Sequence, residues 1–119
     1  MLSDEYRYKL LQLLESRPQA SQREIANALG ISLGKVNFCL NALIERGLVK
    51  ARNFTNSQNK RAYMYYLTPR GFQEKARVTL RFFRQRVAEY EAMRDEIETL
   101  RRDAAREEAR LRQSAGPAE

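Results

Sequence analysis

Two stretches in the first half of this chain each open on a serine, carry apolar residues at helical spacing and close on a glycine, which leaves few folds open. In Ser21-Gln-Arg-Glu24 the hydroxyl and the carboxylate can each satisfy the other residue's free backbone N–H, the reciprocal arrangement of a capping box. Ile25, Ala26 and Leu29 then supply a buried face. Gly30 predicts a stop, because glycine takes the left-handed conformation after a last helical turn without strain. Ile31 is placed to anchor the turn. Ser32 predicts the cap of the next helix, whose Val36, Cys39, Leu40, Leu43 and Ile44 recur at helical spacing until Gly47 ends it. A short helix, a glycine turn and a longer capped helix, over Ser21 to Arg46, make a helix-turn-helix.

The flanks extend this unit. Ser3 predicts a cap for an earlier helix, with Asp4 and Glu5 at the positive end of its dipole and Tyr6, Leu10, Leu13 and Leu14 as its apolar stripe. Arg17-Pro18 ends it, since the residue before proline is pushed out of the α region. Downstream, Leu48 to Phe54 begins apolar and carries Lys50 and Arg52 on one face. Thr55-Asn-Ser-Gln-Asn59 is a run of turn formers, Lys60 and Arg61 follow, and Ala62 to Leu67 is tyrosine-rich and suited to a strand. The two strands predict a β-hairpin wing with a basic tip.

Thr68-Pro69 predicts another helix start, with Gly71 blurring the boundary. Beyond it no proline or glycine interrupts a Glu-, Arg-, Ala- and Leu-rich run to about Gln113, so one helix would span about 65 Å at 1.5 Å per residue. A helix of that length cannot pack on so small a body alone. Leu80, Phe83, Val87, Tyr90, Met93, Ile97, Leu100, Ala104 and Leu111 recur mostly at steps of three and four, a seam that calls for a partner helix. The step from 90 to 93 departs from heptad alternation, and Glu107 falls where an apolar residue belongs, so the pairing is expected to weaken toward the C-terminus. The expected fold is mainly α with a small β-hairpin: a winged helix-turn-helix domain at 1–71, a coiled-coil-like dimerisation helix at 72–113 and a disordered tail at 114–119.

Charge favours a polyanionic partner. The 22 Lys and Arg against 15 Asp and Glu give a net charge of +7. Residues 1–71 hold 11 basic and 5 acidic residues, and residues 72–119 hold 11 and 10, so the excess sits on the first part. No apolar run approaches a membrane span, and Met1 to Tyr8 lacks a signal layout, which points to the cytoplasm. A single cysteine and no histidine exclude an internal disulfide, the usual zinc-ligand sets and histidine general-base chemistry, and no Gly-rich phosphate loop occurs. No cofactor or metal is expected, and an enzyme is disfavoured.

On the recognition helix the face opposite the buried stripe presents Gly34, Asn37, Phe38, Asn41 and Glu45, with Lys35 at its flank and Ser32 at its cap. Asparagine can bond adenine in the major groove, lysine can reach a phosphate or guanine, and Gly34 permits close backbone approach. The same Asn and Lys also suit a merely solvated helix. Phe38 suits either thymine methyls or packing against the wing or the first helix, and packing is favoured. On the wing, Asn56, Asn59, Lys60 and Arg61 can reach phosphates or the adjoining minor groove. Tyr63, Tyr65 and Tyr66 are expected to pack rather than stack on bases. Lys75, Arg77, Arg81, Arg84 and Arg86 suit phosphates or an exposed helical face. Cys39 is expected to be an inert core residue rather than a redox sensor.

The stretch from Ser21 to Lys50 resembles the winged helix-turn-helix of MarR-type bacterial regulators, closest to the exopolysaccharide-associated subgroup. The Ser-Leu-Gly-Lys-Val-Asn37 run and the Asn53-Phe-x-Asn-Ser-x-Asn-Lys60 wing carry the likeness, which continues through Leu67-Thr68-Pro69 and Gly71 to about Leu100. The resemblance implies a homodimeric transcriptional regulator of a bacterial nucleoid, acting on double-stranded DNA and on exopolysaccharide genes. Larger members flank the winged domain with extra helices that build a dimer interface and a ligand cleft. Here the first helix is short and one long helix follows, which argues against a small-molecule pocket and leaves any effector unassigned. Two recognition helices in a dimer would read half-sites about 34 Å apart, or a multiple of that. A protein-docking winged module with a coiled-coil scaffold and an RNA-binding adaptor are the rival readings.

Overall fold

Each of the first three helices starts on the serine that the sequence offers as its cap. The computed structural model describes residues 2–55 and 61–115. In chain order the elements are α1 (Asp4–Ser16), α2 (Gln22–Leu29), α3 (Leu33–Glu45), β1 (Val49–Thr55), β2 (Arg61–Leu67) and α4 (Pro69–Ser114). Ser3 accepts from the Tyr6 N–H, Ser21 and Glu24 form the complete capping box, and Ser32 accepts from the Lys35 N–H. Gly30 and Gly47 both take the left-handed conformation, with φ of 69° and 73°, and turn the chain out of α2 and α3.

The apolar faces of α1, α2 and α3 meet in one core of Leu10, Leu14, Ala20, Ile25, Ala26, Leu29, Val36 and Leu40, closed by Val49 and Tyr65 from the hairpin. Leu11 is as buried as Leu10, so the covered side of α1 is wider than the expected stripe. Cys39 is half-buried against the same core. Leu40 is fully buried in this core, and truncation at such sites costs about 2–5 kcal/mol.

The strands pair antiparallel from Val49 opposite Leu67 to Thr55 opposite Arg61. Alternation turns Val49, Ala51, Tyr65 and Leu67 to the core and leaves Lys50 and Arg52 exposed on the other face. An isolated two-stranded hairpin is marginal in water. Here its base is held from outside. The Tyr65 N–H donates to the Pro18 carbonyl at 3.0 Å, and Gln22 Nε2 donates to the Tyr65 hydroxyl at 3.0 Å.

A tight junction begins α4. Thr68 Oγ1 donates to the Gly47 carbonyl at 2.6 Å and accepts from the Gly71 N–H at 3.0 Å, while the Thr68 N–H donates to the Leu48 carbonyl at 3.1 Å. Gly71, which blurred the boundary in the sequence, is buried within the first turn of the helix. A Cβ there would lie 2.0 Å from the Leu48 carbonyl oxygen. The glycine is required by backbone approach.

Packing divides the chain into two units, residues 1–82 and 83–119. Residues 1–71 and the first turns of α4 share the first unit, because Val78 is buried, Lys75 pairs with Glu15, and the Phe82 ring lies 5.5 Å from that of Tyr8. Arg81 donates to both carboxylate oxygens of Asp4 at 3.1 and 3.2 Å, holding that carboxyl below its ordinary value of 3.8. In the second unit Arg86–Glu89, Arg101–Glu98 and Arg110–Glu107 are pairs one turn apart, each supporting an exposed helix by about 0.2–0.5 kcal/mol. No helix among the described residues is long and apolar enough to cross a membrane.

Gly71→Ala is expected to lower unfolding free energy by about 3 kcal/mol or more, since overpacking here displaces backbone rather than a side chain; urea denaturation measures it. The Asp4–Arg81 pair gives a second expectation. A carboxylate whose folded pKa is depressed contributes stability above its unfolded value, and that contribution is lost as pH falls through the folded value. Asp4→Asn should cost less than about 1 kcal/mol at pH 7, as for a partly exposed pair, and the gap to the parent should close as the pH drops below the ordinary value of 3.8.

Candidate nucleic-acid interface

Helix α3 buries one side and leaves the other bare. Val36 and Leu40 point into the core, with Cys39, Leu43 and Ile44 half-covered around them. Ser32, Gly34, Lys35, Asn37, Phe38 and Asn41 are all exposed, so the residues singled out on this helix share one accessible surface. Ser32 spends an acceptor site on the Lys35 N–H at 3.1 Å, which makes it first a cap. Asn41 Nδ2 donates to Asn37 Oδ1 at 2.8 Å, joining the two asparagines across one helical turn. A Cβ at Gly34 would meet nothing within 4 Å, so this glycine leaves an open notch that no protein atom requires.

Phe38 departs from the favoured expectation of packing. It is 69% exposed and contributes to the lining of an apolar cavity. That cavity, about 350 Å³, is lined by Leu10 and Leu11 of α1, by Phe38, Cys39 and Leu43 of α3, and by Val78 of α4, with the Arg7 and Arg46 stems at its edge. Its volume is at the lower end of small-ligand pockets, whereas the short first helix and single long helix read from the sequence argued against one.

Leu33 was not singled out from the sequence. It is 44% exposed one turn before Asn37, in the row that continues to Asn41. An apolar residue on the open side of an amphipathic helix was its only signal, obscured because the first turn was read for its cap.

On the wing, Asn56, Asn59 and Lys60 lie outside the described residues, and Arg61 opens β2 opposite Thr55. Of the tyrosines, Tyr65 packs in the core and the Tyr66 hydroxyl donates to Met64 Sδ at 3.1 Å, as expected of packing residues. Tyr63 departs from them. It is 56% exposed, with its ring stacked 6.3 Å from that of Tyr65. The basic start of α4 is largely committed within the fold, with Lys75 on Glu15, Arg81 on Asp4 and Arg77 3.7 Å from Glu74. Glu24, held low by the Ser21 backbone N–H and hydroxyl, also faces Arg17 at 3.0 Å. Among the described residues no cluster of carboxylates and cysteine could hold a metal ion.

The seam residues Leu80, Phe83, Tyr90, Met93, Ile97 and Leu100 are exposed on α4, Val87 is half-buried and Ala104 is exposed. Phe72 is exposed as well.

This architecture is a winged helix-turn-helix with a long C-terminal helix. Residues 3–50 match the family model described as winged helix-turn-helix DNA-binding. Comparison with curated proteins returns no match. Among solved structures the chain is similar to the PcaV transcriptional regulator of Streptomyces coelicolor, at 21% identity over 92% of this chain and 74% of that one, with a TM-score of 0.62. It is similar to a MarR family transcription regulator at 20% identity, 91% and 73% coverage and a TM-score of 0.59. A PadR-like transcriptional regulator of Bacillus cereus aligns at 12% identity, 69% and 84% coverage and a TM-score of 0.63. At these identities what is shared is the fold, and all three are transcriptional regulators rather than enzymes.

Gly34→Ala separates fold from surface. It should leave stability unchanged or raise it by up to about 1 kcal/mol, as helix propensity favours alanine, while weakening duplex DNA binding measured by fluorescence anisotropy.

Proposed function

We propose that this chain is a sequence-specific, double-stranded DNA-binding transcription regulator that acts as a homodimer on a pseudo-palindromic operator. The exposed face of α3, with Gly34, Asn37 and Asn41 beside Lys35, together with a hairpin carrying the exposed Lys50 and Arg52, is the observation that carries this reading. Asparagine and a bare glycine suit base edges, and the flanking cations suit phosphates. The match of residues 3–50 to a DNA-binding family model supports it.

Dimerisation is supported by the apolar stripe on α4. Six large apolar side chains from Leu80 to Leu100 stand exposed at helical spacing, an arrangement that water disfavours and a second copy's helix would cover. Likeness of the Ser32–Asn37 and Asn53–Lys60 runs to the exopolysaccharide-associated MarR subgroup supports polysaccharide-biosynthesis genes as targets, with the protein working at the bacterial nucleoid.

Binding to genomic duplex should fall steeply with salt, and Asn37→Ala should cost about 1–3 kcal/mol on the preferred site but little on random duplex. Lys60→Ala or Arg61→Ala should weaken both alike and lower the salt slope. Light scattering should find a dimer that Ile97→Glu converts to monomer. A monomeric parent would sink the dimer; duplex binding that is absent at low salt, with firm capture of a protein partner, would favour the adaptor reading instead.

A further inference from the structure

We propose that Asn37 and Asn41 form one adenine-reading element in which Asn41 is the positioning residue, fixing the orientation in which the Asn37 amide meets the base. The proposal rests on the DNA-binding reading of α3.

Both side chains are exposed, and Asn41 Nδ2 donates to Asn37 Oδ1 at 2.8 Å. The bond closes no buried polar gap and ties no two elements together, so water could replace it without loss to the fold. Its effect is on orientation. Adenine presents a donor, its N6 amino group, beside an acceptor, N7; guanine presents two acceptors, O6 and N7. A carboxamide that reads adenine must therefore set its oxygen toward N6 and its NH2 toward N7.

An amide oxygen has two acceptor sites, so Asn37 Oδ1 can hold Asn41 on one and adenine N6–H on the other, leaving both Nδ2 protons for N7 and a neighbour. Reversing the Asn37 amide alone would bring its NH2 against the Asn41 NH2, donor to donor, so the two amides can turn only together. Asn41 thus opposes reversal of Asn37 by itself, the orientation that would offer an NH2 to guanine O6. A donor already seated on the Asn37 oxygen also polarises that amide and strengthens its own N–H donors.

The test uses the full chain. The preferred duplex is selected from a randomised pool, and dissociation constants are measured by fluorescence anisotropy at fixed salt, with circular dichroism confirming that each variant keeps its helices. In the parent, one adenine of the site should lose about 5- to 150-fold in affinity when replaced by 7-deazaadenine or by a G·C pair. Asn37→Ala should erase that preference. Asn41→Ala, and Asn41→Asp, which keeps the shape but loses the donor, should shrink the adenine-over-guanine ratio at the same position several-fold. Asn41→Gln, which keeps a donor, should retain most of it. The ratio cancels any uniform effect of the added aspartate charge on phosphates.

An unchanged ratio in both Asn41→Ala and Asn41→Asp overturns the pairing and leaves Asn37 as an independent reader. A parent with no Asn37-dependent adenine preference overturns the pairing and the base-reading claim together.

Discussion

The Thr68 hydroxyl is the contact on which the arrangement of the first unit depends. By donating to the Gly47 carbonyl and capping the Gly71 N–H, it ties the end of α3 to the start of α4. The Leu48 carbonyl, bonded by the Thr68 N–H, lies where a side chain at residue 71 would otherwise stand. Three elements with different tasks thus share one turn: α3 arrives there, the wing departs from it, and α4 begins on it.

Charge plays two separate parts in this molecule. The cations of α4 that the sequence offers as phosphate contacts, Lys75 and Arg81, are instead engaged with Glu15 and Asp4. Lys35, Lys50 and Arg52 stand exposed on α3 and β1. Net charge alone does not distinguish these groups, because a paired arginine and an exposed one count equally. The separation depends on which carboxylates α1 brings near, and that is a property of packing.

Most of the fold was legible because the signals were local. Ser3, Ser21 and Ser32 cap where their positions predict, Gly30 and Gly47 turn the chain, and the two expected strands pair as a hairpin. What escaped depends on contacts far apart in sequence. Gly71 looked like a weak helix start, and only the approach of Leu48 explains it. The burial of Leu11 and the cavity beside it arise from the placing of α4 near α1. On the open face of α3 the exposed polar residues were readable from helical periodicity, whereas Leu33 and the Asn37–Asn41 bond were not, since periodicity gives a side and not an amide orientation.

The tyrosine at the base of the wing has a thermodynamic consequence. A free hairpin would have to lose backbone and side-chain entropy when its tip met a ligand, and that loss, of order 1–2 kcal/mol per ordered residue in the backbone alone, would be subtracted from affinity. With the Tyr65 backbone joined to Pro18 and its hydroxyl joined to Gln22, much of the ordering at the base is completed when the chain folds. The residues that hold the hairpin are therefore residues of α2 and its preceding turn, so the helix-turn-helix pre-organises the second element that would accompany it into a groove.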